Sequence, residues 1–251
     1  MIAALPMHDR PETAAANDRL WAAIRDRLRA EGCAAPRALT RDRPLFDIWT
    51  DPDLLLAQTC GLPFRRDLWG RVAYVATPAY DLPDCPAGWY RSALVARAPA
   101  TAGPLRRWRG ARLAVNAPGS QSGWAAPQTL AALDGFRFTD LIFTGAHRAS
   151  ARAVAEGRAD LAALDAVSWA MMRRWDGFAG QLVEVARTPP SPGLPLITAI
   201  GGPAAALADA VEAAIAALDP ADRHTLLLTG LARLDPAAYR RVPTPPPPVR
   251  A

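Results

Sequence analysis

Val115-Asn116-Ala117-Pro118-Gly119-Ser120-Gln121-Ser122-Gly123-Trp124 is the stretch on which the reading of this chain turns. A short apolar strand over residues 112–115 runs into a loop of proline, glycine and serine, and a helix is predicted over 123–133. Strand, loop and helix make a βα unit, and the pattern continues downstream. Strands are predicted over 139–143, 161–164 and 181–186, with helices over 148–156 and 166–174 between them. Upstream lies a separate run with its own start. Ile2-Ala3-Ala4-Leu5-Pro6 reads as a strand, and Leu20, Trp21, Ile24 and Leu28 place a helix over 17–30 that Gly32 stops. Residues 45–49 read as extended, and Thr50-Asp51-Pro52 reads as a cap leading into a helix over 54–58. Strands follow over 71–76 and 89–96.

Two βα runs predict an α/β protein of two lobes, with parallel-type sheets and helices on both faces. Thr188-Pro189-Pro190-Ser191-Pro192-Gly193 is a stiff connector to a strand over 195–200 and has the character of a return crossing. Helices over 204–218 and 221–228 close the chain, and 243–251 is a Pro-rich tail. The expected division is lobe I over 1–97 and 188–251 and lobe II over 98–187, with two hinge crossings near 96–97 and 186–188.

Composition excludes several classes. At 251 residues the chain has room for two lobes, and 51% hydrophobic with 21% charged residues suits packed cores. The net charge is +5, and all 29 cationic side chains are arginine. They are scattered, as in Arg25, Arg27 and Arg29, then Arg106, Arg107 and Arg109, then Arg173 and Arg174, so no nucleic-acid partner is expected. Cys33, Cys60 and Cys85 lack the spacing of a disulfide framework or a zinc site, and no metal or cofactor is expected. No apolar run reaches the length of a membrane span. The first residues have no charged leader, apolar segment or cleavage site, so the sequence as written reads as cytoplasmic, and as periplasmic if the true start lies upstream.

The chemistry concentrates at the quoted loop. Backbone N–H groups at a helix start, with Ser120, Gln121, Ser122 and Gly123 around them, can hold an oxyanion without a lysine or metal. The same residues also suit an ordinary helix cap, and the loop alone does not separate the two. It is not a P-loop, because the Gly-Lys-Ser/Thr ending is missing. His147 falls at the start of the next helix and Asp165 after the following strand, so all three positions lie beyond strand carboxyl ends, where open α/β sheets bind ligands. Ser122, His147 and Asp165 have the components of an acyl-transfer triad, but Gly119-Ser120-Gln121-Ser122-Gly123 is not a Gly-x-Ser-x-Gly elbow. Asp9, Asp51 and Asp53 suit caps and turns, and His224 is a lone helical residue.

The loop 120–123, the segment Gly145-Ala146-His147-Arg148-Ala149-Ser150, the stretch Gly157-Arg158-Ala159-Asp160-Leu161-Ala162-Ala163-Leu164-Asp165 and the Pro-rich return together resemble one family. It is the phosphate/phosphite/phosphonate-binding family of ABC-transporter substrate-binding proteins, of the type II periplasmic-binding-protein fold. The resemblance covers most of the chain and implies a monomer that closes on a small oxyanion and presents itself to an ABC permease or a sensor. It gives Ser120, Gln121, Ser122 and Gly123 the oxyanion, His147 a further donor, and Asp165 a ligand amine. From the first lobe it implies Met7, His8, Thr50 and Asp51, with Tyr80 and Tyr90 as weaker candidates. Trp49, Trp124 and Trp169 are candidates to line a roomier cleft, Trp169 being equally suited to the core. The alternative is a cytoplasmic enzyme on the same fold, of the menaquinone-pathway or thiamine-precursor type, since fold alone does not decide function.

Overall fold

A computed structural model describes residues 1–248. In chain order the elements begin with β1 (Ile2–Ala4), α1 (Pro11–Ala30), α2 (Leu45–Trp49), β2 (Leu54–Gln58), α3 (Gly61–Arg66) and β3 (Val72–Tyr80). Next come β4 (Trp89–Tyr90), β5 (Ser92–Arg97), β6 (Leu113–Val115), a π-helical turn (Gln121–Ala125) that continues into α4 (Ala126–Leu133), and β7 (Leu141–Phe143). The chain goes on through α5 (His147–Ala155), β8 (Leu161–Asp165), α6 (Ala166–Trp175), β9 (Leu182–Arg187) and β10 (Ser191–Pro192). It ends with β11 (Leu196–Ala199), α7 (Ala204–Ala217), α8 (Pro220–Leu226), β12 (Leu228–Ala232) and α9 (Ala237–Arg241).

These elements form two compact units, one of Met1–Trp89 with Pro192–Arg240, the other of Tyr90–Ser191 with residues 241–248. The first holds a sheet in the order β1-β2-β11-β3-β12. β1 and β2 run parallel, while β11 pairs antiparallel with both β2 and β3, and β12 antiparallel with β3. Trp21, Ile24 and Leu28 of α1 and Leu207, Val211 and Ile215 of α7 cover one face, packed on Leu56, Val75 and Leu196. Ile48, Trp49, Phe64 and Tyr239 pack with Ile2, Ala57, Val72 and Ile197 in a separate cluster. Alternate residues of one strand thus serve different clusters, as the two-residue strand period requires.

The second unit has its own sheet, in the order β7-β6-β8-β5-β9. β6 runs parallel to β7 and β8, and β5 runs antiparallel to β8 and β9. Its core joins Val95, Leu164 and Leu182 of the sheet to Val154 of α5 and Trp169 and Met172 of α6. Both sheets are mixed, because each receives strands that enter against the βα direction. The short segments β4 and β10 pair as a two-stranded ribbon.

Three expectations are corrected. Residues 45–49 are helical, and residues 54–58 are a fully buried strand instead of a helix. A four-residue apolar run buried on both faces has no period to tell strand from helix, and the cap and proline ahead of it pointed to the helix. Residues 228–232, partly assigned to the last helix, form β12, which begins after Leu227 adopts a left-handed conformation (φ 58°) that ends α8. The compact units divide at Trp89/Tyr90 and Ser191/Pro192, beside the crossings expected near 96–97 and 186–188. Of the Pro-rich tail, residues 243–248 carry no regular structure, and the remaining three lie outside the described residues.

Candidate functional site

In the second unit β6, β7 and β8 run parallel, so their carboxyl ends open at one edge of the sheet. The loop after β6, His147 after β7 and Asp165 closing β8 therefore meet where the sequence placed them. β5 runs the opposite way and brings Ser92 to the same edge, paired with Asp165.

The helix start is built by Ser120. Its Oγ accepts the Gly123 N–H at 2.9 Å, and its carbonyl accepts the N–H groups of Trp124 and Ala125 at 3.3 and 3.0 Å. A cap that satisfies these donors leaves the Ser122 amide outside its bonds, at the positive end of the helix. Ser122 Oγ lies 2.9 Å from His147 Nε2, and the Ser122 carbonyl accepts from Ser92 Oγ at 3.0 Å. Ser92 is held in turn by Thr188, whose Oγ1 accepts the Ser92 N–H at 2.9 Å. Ser120, Gln121, Ser122 and Gly123 are buried, and His147 is half-buried. Asp165 is buried and accepts the Ser168 N–H at 2.8 Å, so part of its carboxylate caps α6.

Gly123 has a local reason to be glycine. A Cβ there would stand 1.9 Å from Asn116 Oδ1 and 3.3 Å from His147 Cε1, closer than packed atoms approach. The arrangement offers hydroxyl, imidazole and backbone N–H groups, which are the donors an anion needs. It has no Gly-x-Ser-x-Gly turn, and Ser122 sits inside a helical turn instead of at an elbow.

The first unit repeats the logic at the carboxyl ends of β1, β2 and β3. His8 Nδ1 lies 3.3 Å from Tyr80 Oη, with the rings edge-on at 5.1 Å, and Gln58 Nε2 donates to the same phenol oxygen at 3.0 Å. Thr13 fixes the His8 loop by donating from Oγ1 to the His8 carbonyl at 2.7 Å. A cavity of about 30 Å³ lined by His8, Asn17, Gln58 and Tyr80 with apolar neighbours lies beside them, room for about one water. Met7 packs against the cluster of Ile48, Trp49 and Tyr239.

Thr50 and Asp51 are not brought to this edge. They precede β2, at the opposite end of the strand, because residues 54–58 are the strand itself. Thr50 Oγ1 donates to the Phe46 carbonyl, and Asp51 accepts the Asp53 N–H at 2.8 Å and pairs with Arg43 at 2.9 Å. Those bonds, the Asp53 amide first, hold the Asp51 carboxyl below its ordinary range. Tyr90 lies buried on the ribbon. Trp49, Trp124 and Trp169 are all buried, with Trp169 in the second core and the Trp49 indole donating to the Gln58 carbonyl at 3.1 Å. Gln58 and Thr59 were missed. Once 54–58 is read as a strand, a polar pair closing an apolar run is the signal that places them at a ligand-facing edge.

Similarity to known proteins agrees with this geometry. Residues 77–239 match the family described as "ABC transporter, phosphonate, periplasmic substrate-binding protein". No curated protein matches the chain in sequence. Among solved structures, PhnD1 from Prochlorococcus marinus in complex with methylphosphonate is similar with a TM-score of 0.71 at 14% identity, covering 96% of this chain and 95% of that one. XAC2383 from Xanthomonas citri bound to chloride ion is similar with a TM-score of 0.67 at 18% identity, covering 96% and 94%. A binding protein component of an ABC phosphonate transporter from Pseudomonas aeruginosa follows with a TM-score of 0.66 at 15% identity, covering 95% and 82%. These are likenesses of fold. Among the described residues no helix is long and apolar enough to cross a membrane. With the family model matched over more than half of its length, the chain belongs to the periplasmic substrate-binding proteins of phosphonate ABC transporters.

Proposed function

We propose that this protein binds a phosphonate, phosphite or phosphate anion at the sheet edge of its second unit and delivers it to an ABC permease from the periplasmic side. The observation that carries the reading is the Ser122–His147 pair at 2.9 Å, set at a helix start whose own cap is supplied by Ser120. In it, Ser122 Oγ, the first-turn amides and His147 donate to the anion. Helix-start amides favour a negative charge, and each neutral donor strengthens when its acceptor is ionised.

His8, Tyr80 and Gln58 form a second polar group, on the first unit. Asp165 is assigned to ligands that bear an ammonium group. Thr50 and Asp51 drop out of the proposed site. The ribbon of Trp89–Tyr90 with Ser191–Pro192 is the hinge in this reading. An enzyme on the same fold is not favoured, because the family matched is one of binding proteins.

The test is a thermal-shift screen against phosphate, phosphite, methylphosphonate, aminoethylphosphonate, sulfate and simple carboxylates. A ligand at 100 times its dissociation constant adds about 2.7 kcal/mol, which moves the transition of a chain this size by roughly 5 to 10 °C. A shift with a phosphorus oxyanion supports the reading. No shift with any of them, or a shift with carboxylates alone, refutes it.

A further inference from the structure

Asn116 is the first residue after β6, beside the loop that carries Ser120 and Ser122. Among the described residues its side chain makes no hydrogen bond, and its Oδ1 is buried without a donor. A buried acceptor left unmatched is costly and uncommon, and it calls for an explanation. The surroundings supply one. A Cβ on Gly123 would stand 1.9 Å from this oxygen and 3.3 Å from Cε1 of the ring that meets Ser122, so the carboxamide oxygen takes the place a side chain at 123 would need.

The carboxamide thus stands with its oxygen inward, and Nδ2 is not among the buried atoms that lack a partner. The result is an amide donor on the loop that carries Ser122, with no hydrogen bond of its own among the described residues.

We propose that Asn116 is a further ligand-holding residue, whose Nδ2 donates to an oxygen of the bound anion, and that Gly123 is glycine to let the carboxamide lie in this position. The inference rests on the anion-binding reading above and adds a third side-chain donor from a third element, after the helix-start Ser122 and the α5 His147. Three such donors suit a three-oxygen head such as a phosphonate better than a planar carboxylate.

Asn116→Ala and Asn116→Asp, with the unaltered protein, test this by calorimetric titration with methylphosphonate and by urea denaturation without ligand. A ligand donor predicts opposite responses from the two measurements. Asn116→Ala should bind about 10- to 150-fold more weakly, the range for losing one bond to a charged group. Its ligand-free stability should hold or rise, because the unmatched acceptor is gone. A purely structural Asn116 would lower stability and leave affinity alone. Asn116→Asp should bind more weakly than the alanine variant, since a carboxylate faces the anion. Affinity within twofold of the original in Asn116→Ala, or tight binding in Asn116→Asp, overturns the proposal while the anion reading stands. If the unaltered protein binds no methylphosphonate, phosphite or phosphate, both fall together.

Discussion

Replacing Ser122 by alanine removes one oxygen from the middle of the candidate site, and the size of the effect follows from what that oxygen touches. Without ligand, Ser122 Oγ has His147 Nε2 at 2.9 Å as its side-chain partner. A neutral hydrogen bond of this kind contributes about 1 kcal/mol, so the ligand-free variant should unfold at slightly lower urea with an unchanged slope. With an anion bound, the same hydroxyl donates to a charged acceptor worth about 1.5 to 3 kcal/mol, which corresponds to roughly 10- to 150-fold in affinity. Calorimetric titration with the best phosphorus oxyanion, alongside urea melts, reads both quantities. Ser120→Ala is the contrasting control. It deletes the cap on the Gly123 N–H, costing about 0.5 to 2 kcal/mol of stability, and should weaken binding less than Ser122→Ala does. If Ser122→Ala binds as well as the original protein, or if Ser120→Ala is the more damaging to affinity, the assignment of Ser122 as donor is wrong.

The cores and ion pairs make further predictions. Leu164→Ala opens a cavity in the fully buried centre of β8 and should cost about 2 to 5 kcal/mol by urea denaturation. Asp222 accepts a two-pronged bond from Arg19 at 2.6 Å that joins α8 to α1, and this bond holds its carboxyl below the ordinary value. A lowered carboxyl contributes stability above its unfolded value and loses it as pH falls through the folded one. Asp222→Asn should therefore cost about 0.5 to 1 kcal/mol at pH 7, with the difference shrinking once pH falls below about 4 in melts across that range. Burial pushes the Tyr239 phenol well above its usual range, while its hydroxyl bonds Thr77 Oγ1 at 2.6 Å. A raised value means stability is complete below the unfolded value and declines as pH rises past about 10, so Tyr239→Phe should flatten the alkaline loss of stability. An alkaline limb of the same steepness in the variant would remove Tyr239 as its source.

Local sequence was enough wherever a pattern repeats within an element. The spacing of Leu20, Trp21, Ile24 and Leu28 located α1, and the strand, Gly/Ser loop and helix around 113–133 located the candidate oxyanion edge. Parallel order of β6, β7 and β8 then made the meeting of Ser122, His147 and Asp165 expected, because strand direction alone sends their carboxyl ends to one side. Residues 54–58 defeated that kind of reading. A short run buried on both faces has no period, and Thr50 and Asp51, which the resemblance brought into the candidate site, stand at the far end of β2. Only the tertiary structure decided the rest. It ran β11 against β2 and β3, gave Gln58 to Tyr80, turned Asn116 onto Gly123 and set Ser122 on His147. Each of these depends on which strand lies beside which, and that choice is made by burial of segments far apart in the chain, not by the residues next to one another within it.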